Sequence, residues 1–426
     1  SMTVLYEEVA APTFSRRVRV LGTENAFKIG PWIREVEAQG HRVIRCNIGE
    51  PDFDLPAHIA DEVKRRIDVG ETHYTDPQGI EPLRIAIAKT AGEKRGIRIT
   101  PDRVVVFPGA KPPIGFAQEV YCDPGDQVIY PSPGFPIYES FTRYVEAVPM
   151  PLHLYEERGF SCGAEEIGAL LTPRTRLLYL NFPSNPTGGV ASREQLKAIA
   201  NRIRWEAPHD MRIYSDEVYE DILFDGARHE SIASIPGMES RTIIAGGVSK
   251  SYAWTGGRVG WAIFPTADEA AMFRTMNINY FSCVPAYNQW GAKVALESPE
   301  SAISIARMNA EFQRRRDFVV RALNEIPGIT CTTPRGAFYV FPNIAGACRN
   351  IDALDSTQFQ RFLLYRYHVA TLDRRSFGVI GSEGQHYLRV SIATSFADLE
   401  QAVARIAAAA QDRAGFRSFL EQEKRS

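Results

Sequence analysis

Thr242-Ile243-Ile244-Ala245 runs into Gly246-Gly247-Val248-Ser249-Lys250-Ser251-Tyr252-Ala253-Trp254-Thr255-Gly256-Gly257-Arg258. The first four residues are apolar or β-branched and bounded by glycine, which suits a buried strand. The chain then presents a serine, a lysine and, eight residues after the lysine, an arginine. A strand that opens onto reactive side chains fits an open α/β sheet, where ligands sit beyond the carboxyl ends of the strands. On its own, Lys250 would be a solvated surface charge, as most lysines are. The segment also misses the G-x-S-x-G elbow of serine hydrolases, because Ser251 stands where the last glycine belongs.

Outward from this stretch the pattern repeats. Val104-Val105-Val106-Phe107 stops at Pro108-Gly109 and is followed by Ala110-Lys111. Gln127-Val128-Ile129-Tyr130 stops at Pro131-Ser132-Pro133-Gly134 and is followed by Phe135. Arg176 to Leu180 leads to Asn181 and the loop Asn185-Pro186-Thr187-Gly188-Gly189. Met211 to Tyr214 leads to Asp216 and Tyr219, and Val259 to Phe264 continues the series. Helical patterns lie between. Ile59, Val63 and Ile67 repeat every four residues, and Ser192-Arg193-Glu194-Gln195 is a capping-box sequence ahead of Leu196, Ile199, Ala200 and Ile203. Alternating strands and helices predict an α/β fold with a mainly parallel sheet flanked by helices. The strand exits would then meet in one crevice.

The side chains at those exits suit one cofactor. A lysine amine forms a Schiff base with an aldehyde. A carboxylate such as Asp216 can keep a pyridine nitrogen protonated, so that the ring remains an electron sink. Tyr219 and Asn185 can hydrogen-bond a phenolic oxygen, and Phe135 can stack on a ring face. A helix N-terminus, Ser249 and the Arg258 fork together can hold a phosphate dianion. Each has a plainer reading as well: Asp216 as a helix cap, Tyr219 and Phe135 as core, Asn185 to Gly188 as an ordinary turn.

The full set resembles the class I/II aminotransferases, the aspartate-aminotransferase-like enzymes of fold type I. Ser249 to Arg258 matches their S-K-x-x-x-x-[TS]-G-x-R signature. Asn185-Pro186-Thr187-Gly188, Asp216-Glu217-Val218-Tyr219, Ile48-Gly49-Glu50-Pro51-Asp52-Phe53, Tyr74-Thr75-Asp76-Pro77-Gln78-Gly79-Ile80 and Leu388-Arg389-Val390-Ser391 match in order, from about residue 25 to about 410. The resemblance implies pyridoxal 5′-phosphate as cofactor, Lys250 as the lysine that holds it and shuttles the proton, and Asp216 as the partner of its ring nitrogen. It implies Tyr219 and Asn185 on the phenolic oxygen and Phe135 on the ring face. The phosphate would rest on the backbone of Ala110 and Lys111, on Ser249 and on Arg258. Arg389 would grip the substrate α-carboxylate beside Gly49 and Asn185. Tyr74 would reach the phosphate of a neighbouring subunit, which implies a homodimer with shared active sites. Two positions depart from the pattern: Phe135 stands where the family often has Trp or Tyr, and Gly247 where relatives can have a phosphate-binding serine.

The implied architecture is a large cofactor-binding domain over residues 57–300 and a smaller α+β domain built from both termini. The smaller domain would take residues 301–426, with 1–56 packed against it. A long amphipathic helix near 302–323 leads into it, followed by Gly336 to Phe341, a helix near 356–367, Tyr387 to Ser391, an Ala-rich helix over 397–410 and a charged tail of low complexity. The 426 residues exceed one ordinary domain. Their 49 Lys plus Arg against 51 Asp plus Glu give no charge excess that would point to nucleic acid. Apolar runs are strand-length, which excludes a transmembrane helix, and no signal peptide precedes them. Ser1-Met2 reads as the remnant of a cleaved tag. Six scattered cysteines without a CxxC pair suggest reduced thiols and a cytoplasmic enzyme. Eight histidines without HxxxH or HExxH spacing give no reason to expect a metal.

The expected activity is therefore that of a transaminase working by a ping-pong cycle between an L-amino acid and a 2-oxo acid. A C–S β-lyase is the alternative within the fold. A cofactor-sensing transcription regulator is a third, but it needs a DNA-binding domain for which the first sixty residues leave no room. Lys111 resembles a lysine that meets the side-chain carboxylate of aspartate, glutamate or prephenate in some relatives. Arg374 and Arg375 could greet the same group or be plain surface charges.

Overall fold

The apolar runs singled out from the sequence become strands, and four further strands join them among the described residues. They are β1 (Ile44–Arg45), β2 (Val104–Phe107), β3 (Gln127–Ser132), β4 (Val148–His153), β5 (Thr175–Asn181), β6 (Arg212–Asp216), β7 (Thr242–Gly247) and β8 (Gly260–Ile263). β9 (Tyr339–Val340), β10 (Val369–Ala370), β11 (Leu372–Asp373) and β12 (Leu388–Ser391) follow. The computed structural model describes residues 9–22 and 25–426, with Asn25 and Ala26 in backbone only, so Ser1-Met2 lies outside the described residues.

Among the described residues the strands form a seven-stranded sheet of order β2-β8-β7-β6-β5-β3-β4, a three-stranded sheet β11-β12-β9 and a two-stranded ribbon β1-β10. In the large sheet β3, β4, β5, β6 and β7 pair in parallel, while β8 runs antiparallel to both of its neighbours. Side chains alternate across this sheet. Ile129, Leu178, Leu180 and Ile213 pack on Leu196, Ile199 and Ile203 of the helix Arg193–Glu206. Val128, Tyr130, Leu177, Tyr179 and Tyr214 pack on Ile114 and Ala117 of the helix Pro112–Tyr121. Helices on both faces explain why these strands read as continuous apolar runs. The Ser192 capping box forms as its sequence predicts.

β4 had no counterpart among the predicted strands, since Pro149 and Pro151 argue against pairing. It is an edge strand bonded to β3 alone among the described residues, and proline is tolerated there because one side of the strand needs no ladder donors. The charged tail is also corrected. Residues Arg413–Arg425 form a helix capped by Asp412, burying Phe416 and Phe419 against Phe362. Two phenylalanines three apart are enough to anchor a helix whose remaining face is charged.

Around the small sheet, Phe312, Val319 and Leu323 of the helix Pro299–Asn324 pack with Phe359, Leu363, Leu399, Val403 and Ile406. The N-terminal segment joins both bodies. Ile44 and Cys46 share this core, whereas Ile29, Ile33 and Val36 pack with Ile129 and Leu178 of the large sheet. Glu156 adds a polar tie by accepting bonds from Thr330 Oγ1 and Asn343 Nδ2, and from Tyr387 Oη at 2.9 Å.

Candidate active site

The carboxyl ends of β2, β3, β5, β6 and β7 lie along one edge of the large sheet. Because β8 is reversed, its first residue Gly260 is level with Phe107 and Gly247, the last residues of β2 and β7. Arg258, just before β8, therefore joins the same edge. A cleft of about 680 Å³ opens there, closed on its far side by residues around β9, β11 and β12. Gly49, Ala110, Lys111, Phe135, Asn185, Asp216, Tyr219, Ser249, Lys250, Arg258 and Arg389 all line it. Of the residues singled out from sequence, Tyr74, Arg374 and Arg375 do not; Tyr74 is 88% exposed.

At the centre, Lys250 Nζ donates to the Gly49 carbonyl and lies 5.7 Å from the Tyr219 ring. A Cβ on Gly49 would stand 3.0 Å from Tyr339 Oη and 4.0 Å from Lys250 Nζ, so glycine keeps the backbone close to both groups. Asp216 is buried at the exit of β6. Tyr138 Oη donates to its Oδ2 at 2.8 Å, while its Oδ1 has no hydrogen-bond partner among the described residues. Burial raises its pKa to about 6, and the charge of Glu217 adds to this, against the opposing pull of Tyr138, the Val218 amide and Lys250. Asn181 at the end of β5 fixes the arrangement by donating to the Asp216 carbonyl and accepting from the Asn185 amide, each at 3.0 Å.

Glu217 points the other way, into a buried charge cluster. Arg95 and Ser231 bond its carboxylate, and His229 meets it on Nε2. Burial pushes Glu217 up, but Arg95 and His229 outweigh that and hold it at about 2. Glu217, Glu220 and His229 come close enough together to suggest a metal ligand set, yet the Arg95 guanidinium already bonds both carboxylates.

One end of the cleft suits an anion. Pro112 and Pro113 begin the helix Pro112–Tyr121 without N–H groups, which leaves the amides of Ala110 and Lys111 as its leading donors. Gly109 has φ +94°, and a Cβ there would overlap the Arg258 guanidinium. Gly247 is less confined, but a Cβ there would stand 3.2 Å from the Val259 carbonyl and 3.3 Å from Gly260 Cα. A serine at that position would therefore press on the backbone of β8, a physical reason for this departure.

At the other end Arg389 is buried. Its Nη1 donates to Asn185 Oδ1 at 2.9 Å and its Nη2 to the Asn47 carbonyl at 2.7 Å, while Nε has no partner among the described residues. The rings of Tyr339 and Phe377 flank the guanidinium, with centroids 4.2 and 5.1 Å from Cζ. Lys111 Nζ stands 5.5 Å from the Phe27 ring and 5.8 Å from that of Phe135.

Arg374 corrects both readings of it. It is neither a surface charge nor turned to the cleft, but wholly buried, bonded to Gln385 Oε1, the carbonyls of Phe377 and Gly378, and Ser132 Oγ. Burial pushes its pKa down to about 10, against the raising charge of Glu139. Arg375 is exposed beside an adjoining groove. Sequence reasoning missed Tyr138, Tyr339, Phe377 and Asn47. Tyr138 lies three residues after Phe135, one helical turn away, and that spacing was the available signal. The other three come from elements whose approach to the cleft is tertiary.

The family model for aminotransferase class I and II matches residues 41–406. The chain is 35% identical over 399 residues to the aspartate aminotransferase of Rhizobium meliloti (strain 1021), covering 92% of this chain and 95% of that protein. It is 37% identical over 381 residues to an aspartate/prephenate aminotransferase of Cereibacter sphaeroides, covering 88% and 93%. An aromatic-amino-acid aminotransferase of Thermococcus litoralis is 35% identical over 371 residues, covering 87% and 92%. The crystal structure of the Rhizobium meliloti aspartate aminotransferase superposes with a TM-score of 0.86 at 33% identity, over 95% of this chain and all of that one.

Proposed function

Since the chain belongs to the class I and II aminotransferases, we propose how its own residues carry the reaction and which substrates they favour. The activity itself is pyridoxal-phosphate-dependent transfer of an amino group between an amino acid and a 2-oxo acid. When bound, pyridoxal 5′-phosphate supplies an electron-withdrawing ring that takes up the substrate's amino group and stabilises negative charge at its α-carbon. The residues fit this group, and Asp216 is the observation that carries the assignment. A buried carboxylate oxygen without a partner is costly, and a protonated ring nitrogen is the partner that would satisfy it.

Asp216 Oδ1 would hold the proton on that nitrogen. Tyr219 and Asn185 would bond the phenolic oxygen, and because Asn185 Oδ1 already accepts from Arg389, its Nδ2 is the atom turned to the ligand. Phe135 would cover a ring face. The Ala110 and Lys111 amides, Ser249 and Arg258 would hold the phosphate. Lys250 Nζ would anchor the cofactor and then move the substrate's α-proton. Arg389 would orient the α-carboxylate through its Nε and fork, beside Gly49.

For substrates we place aspartate and glutamate first, with Lys111 meeting the second carboxylate. The apolar walls of Phe27 and Phe377 on the same cleft favour aromatic donors as a second class. Relatives named for aspartate, for prephenate and for aromatic amino acids support this pairing. We also place the active unit as a homodimer in which Tyr74 reaches the partner's phosphate, which its exposure supports. We divide the chain at about residues 56 and 300, and six cysteines with no disulfide among the described residues support a cytoplasmic location. No described helix is long and apolar enough to cross a membrane.

Borohydride reduction of the holoenzyme followed by peptide mapping tests the centre of this proposal. The expected label is on Lys250; a label on any other lysine overturns the assignment. A panel of amino donors, read by loss of the bound cofactor's visible absorbance, then ranks the substrates.

A further inference from the structure

Tyr339 stands where four groups of the site meet, yet its sequence context, Gly336 to Phe341, marks it only as part of a strand. It is fully buried on β9, and Ser391 of β12 is its register partner, so its backbone is fixed two residues from Arg389. Its hydroxyl lies 2.6 Å from that of Tyr219. The two rings meet edge to face at 5.8 Å and 80°. The face of its own ring carries the Arg389 guanidinium, 4.2 Å from centroid to Cζ. The Gly49 backbone that receives Lys250 Nζ comes up against its hydroxyl.

We propose that Tyr339 is a positioning residue with two separable actions: its hydroxyl donates to Tyr219, and its ring orients Arg389. The inference rests on the placement of Tyr219 at the cofactor's phenolic oxygen. A phenol carries one proton. If Tyr219 gives its proton to that oxygen, the short contact with Tyr339 is a hydrogen bond only when Tyr339 is the donor. Donation into the Tyr219 oxygen strengthens what Tyr219 gives onward, as in any chain of hydrogen bonds. Tyr219 stays protonated in this setting, since burial and then the neighbouring Tyr339 push its pKa well above its ordinary value. The ring acts differently. Arg389 has Asn185 and Asn47 as hydrogen-bond partners of its fork, and the Tyr339 and Phe377 rings pack against the guanidinium. The two actions tie the seven-stranded sheet to the three-stranded one at the point where cofactor and substrate carboxylate meet.

The test separates hydroxyl from ring. A donor to the phenolic oxygen stabilises its anionic form and weakens its hold on the proton shared with the Lys250 linkage, which lowers the pH midpoint of the holoenzyme's visible absorption. Tyr339→Phe should therefore raise that midpoint by a few tenths of a pH unit, about 10–30% of what the direct Tyr219 bond is worth. The KM of the best wild-type donor should stay within about threefold, because the ring remains. Tyr339→Leu should raise the midpoint equally and also raise KM about tenfold, with far-UV circular dichroism and bound cofactor verifying its fold; should it not fold, Tyr339→Phe decides the hydroxyl action. A midpoint unmoved in Tyr339→Phe overturns the hydroxyl action, and an unmoved KM in Tyr339→Leu overturns the ring action. Tyr219→Phe is the reference and should raise the midpoint at least as far as Tyr339→Phe. If it leaves the midpoint unchanged, the placement of Tyr219 itself fails, and the inference falls with it.

Discussion

Two residues of this cleft, Asp216 buried and Lys111 exposed, show how surroundings set chemistry. Without cofactor, the Asp216 carboxyl titrates near 6, above the ordinary carboxylate range. A folded-state pKa above the unfolded one gives stability that is full below about pH 4 and lost as pH rises through 6. Two units correspond to roughly 3 kcal/mol. Asp216→Asn removes this titration, so in cofactor-free protein its thermal stability relative to wild type should climb between pH 4.5 and 7 and level off above; a lead that shrinks with rising pH would contradict the assignment. Lys111 is the second case. Solvent screens a charge-assisted bond at this exposed site to about 1 kcal/mol, so Lys111→Ala should lower kcat/KM for aspartate or glutamate about fivefold and leave a neutral donor almost unchanged. Arg389→Ala should depress all donors alike. A wild type that prefers neutral over both acidic donors would refute the role given to Lys111. The sequence marked both residues by position, but the orphaned oxygen of Asp216 and the tyrosine that satisfies its other oxygen follow from packing.

At the level of elements, legibility tracked how local the cause was. The capping box at Ser192 involves residues three apart, and it forms as read. β4 escaped because its two prolines are acceptable only on an edge, and edge status depends on the whole sheet order. Arg374 is a similar case. It joins the turn Arg374–Phe377 to the end of β3 through Ser132 and receives no carboxylate bond among the described residues. Its removal would leave four acceptors without their donor, so Arg374→Met should destabilise the protein by about 2–4 kcal/mol. By freeing Phe377 from its place beside Arg389, it should also raise KM. Arg374→Lys should restore little, since an ammonium lacks the planar fork that spans these acceptors. Calorimetry and KM on the two variants check this; full rescue by lysine would show that charge alone matters.

At the scale of the whole molecule, the proposed homodimer turns on Tyr74. Tyr74 lies outside the cleft of its own chain, so a role at the phosphate requires a second copy. Mixing Tyr74→Phe with Lys250→Ala subunits should produce hybrids in which one site of two has both residues intact, and activity should rise above that of either parent. A mixture that exchanges subunits, as seen by native mass spectrometry, yet gains no activity would show that the sites are not shared.

The amino-acid sequence by itself determined the α/β class, the strand exits that carry the chemistry and the lysine at their centre, because period, glycine and proline punctuation and motif order are local properties. Tertiary structure decided the rest. Only the reversal of β8 brings Arg258 to the edge where β2 and β7 end, and only the docking of β9 and β12 sets Tyr339 against Tyr219 and Arg389. Several of these contacts span long stretches of chain, 120 positions between Tyr219 and Tyr339, and which surfaces meet is fixed by the packing of whole sheets and helices rather than by any window of sequence.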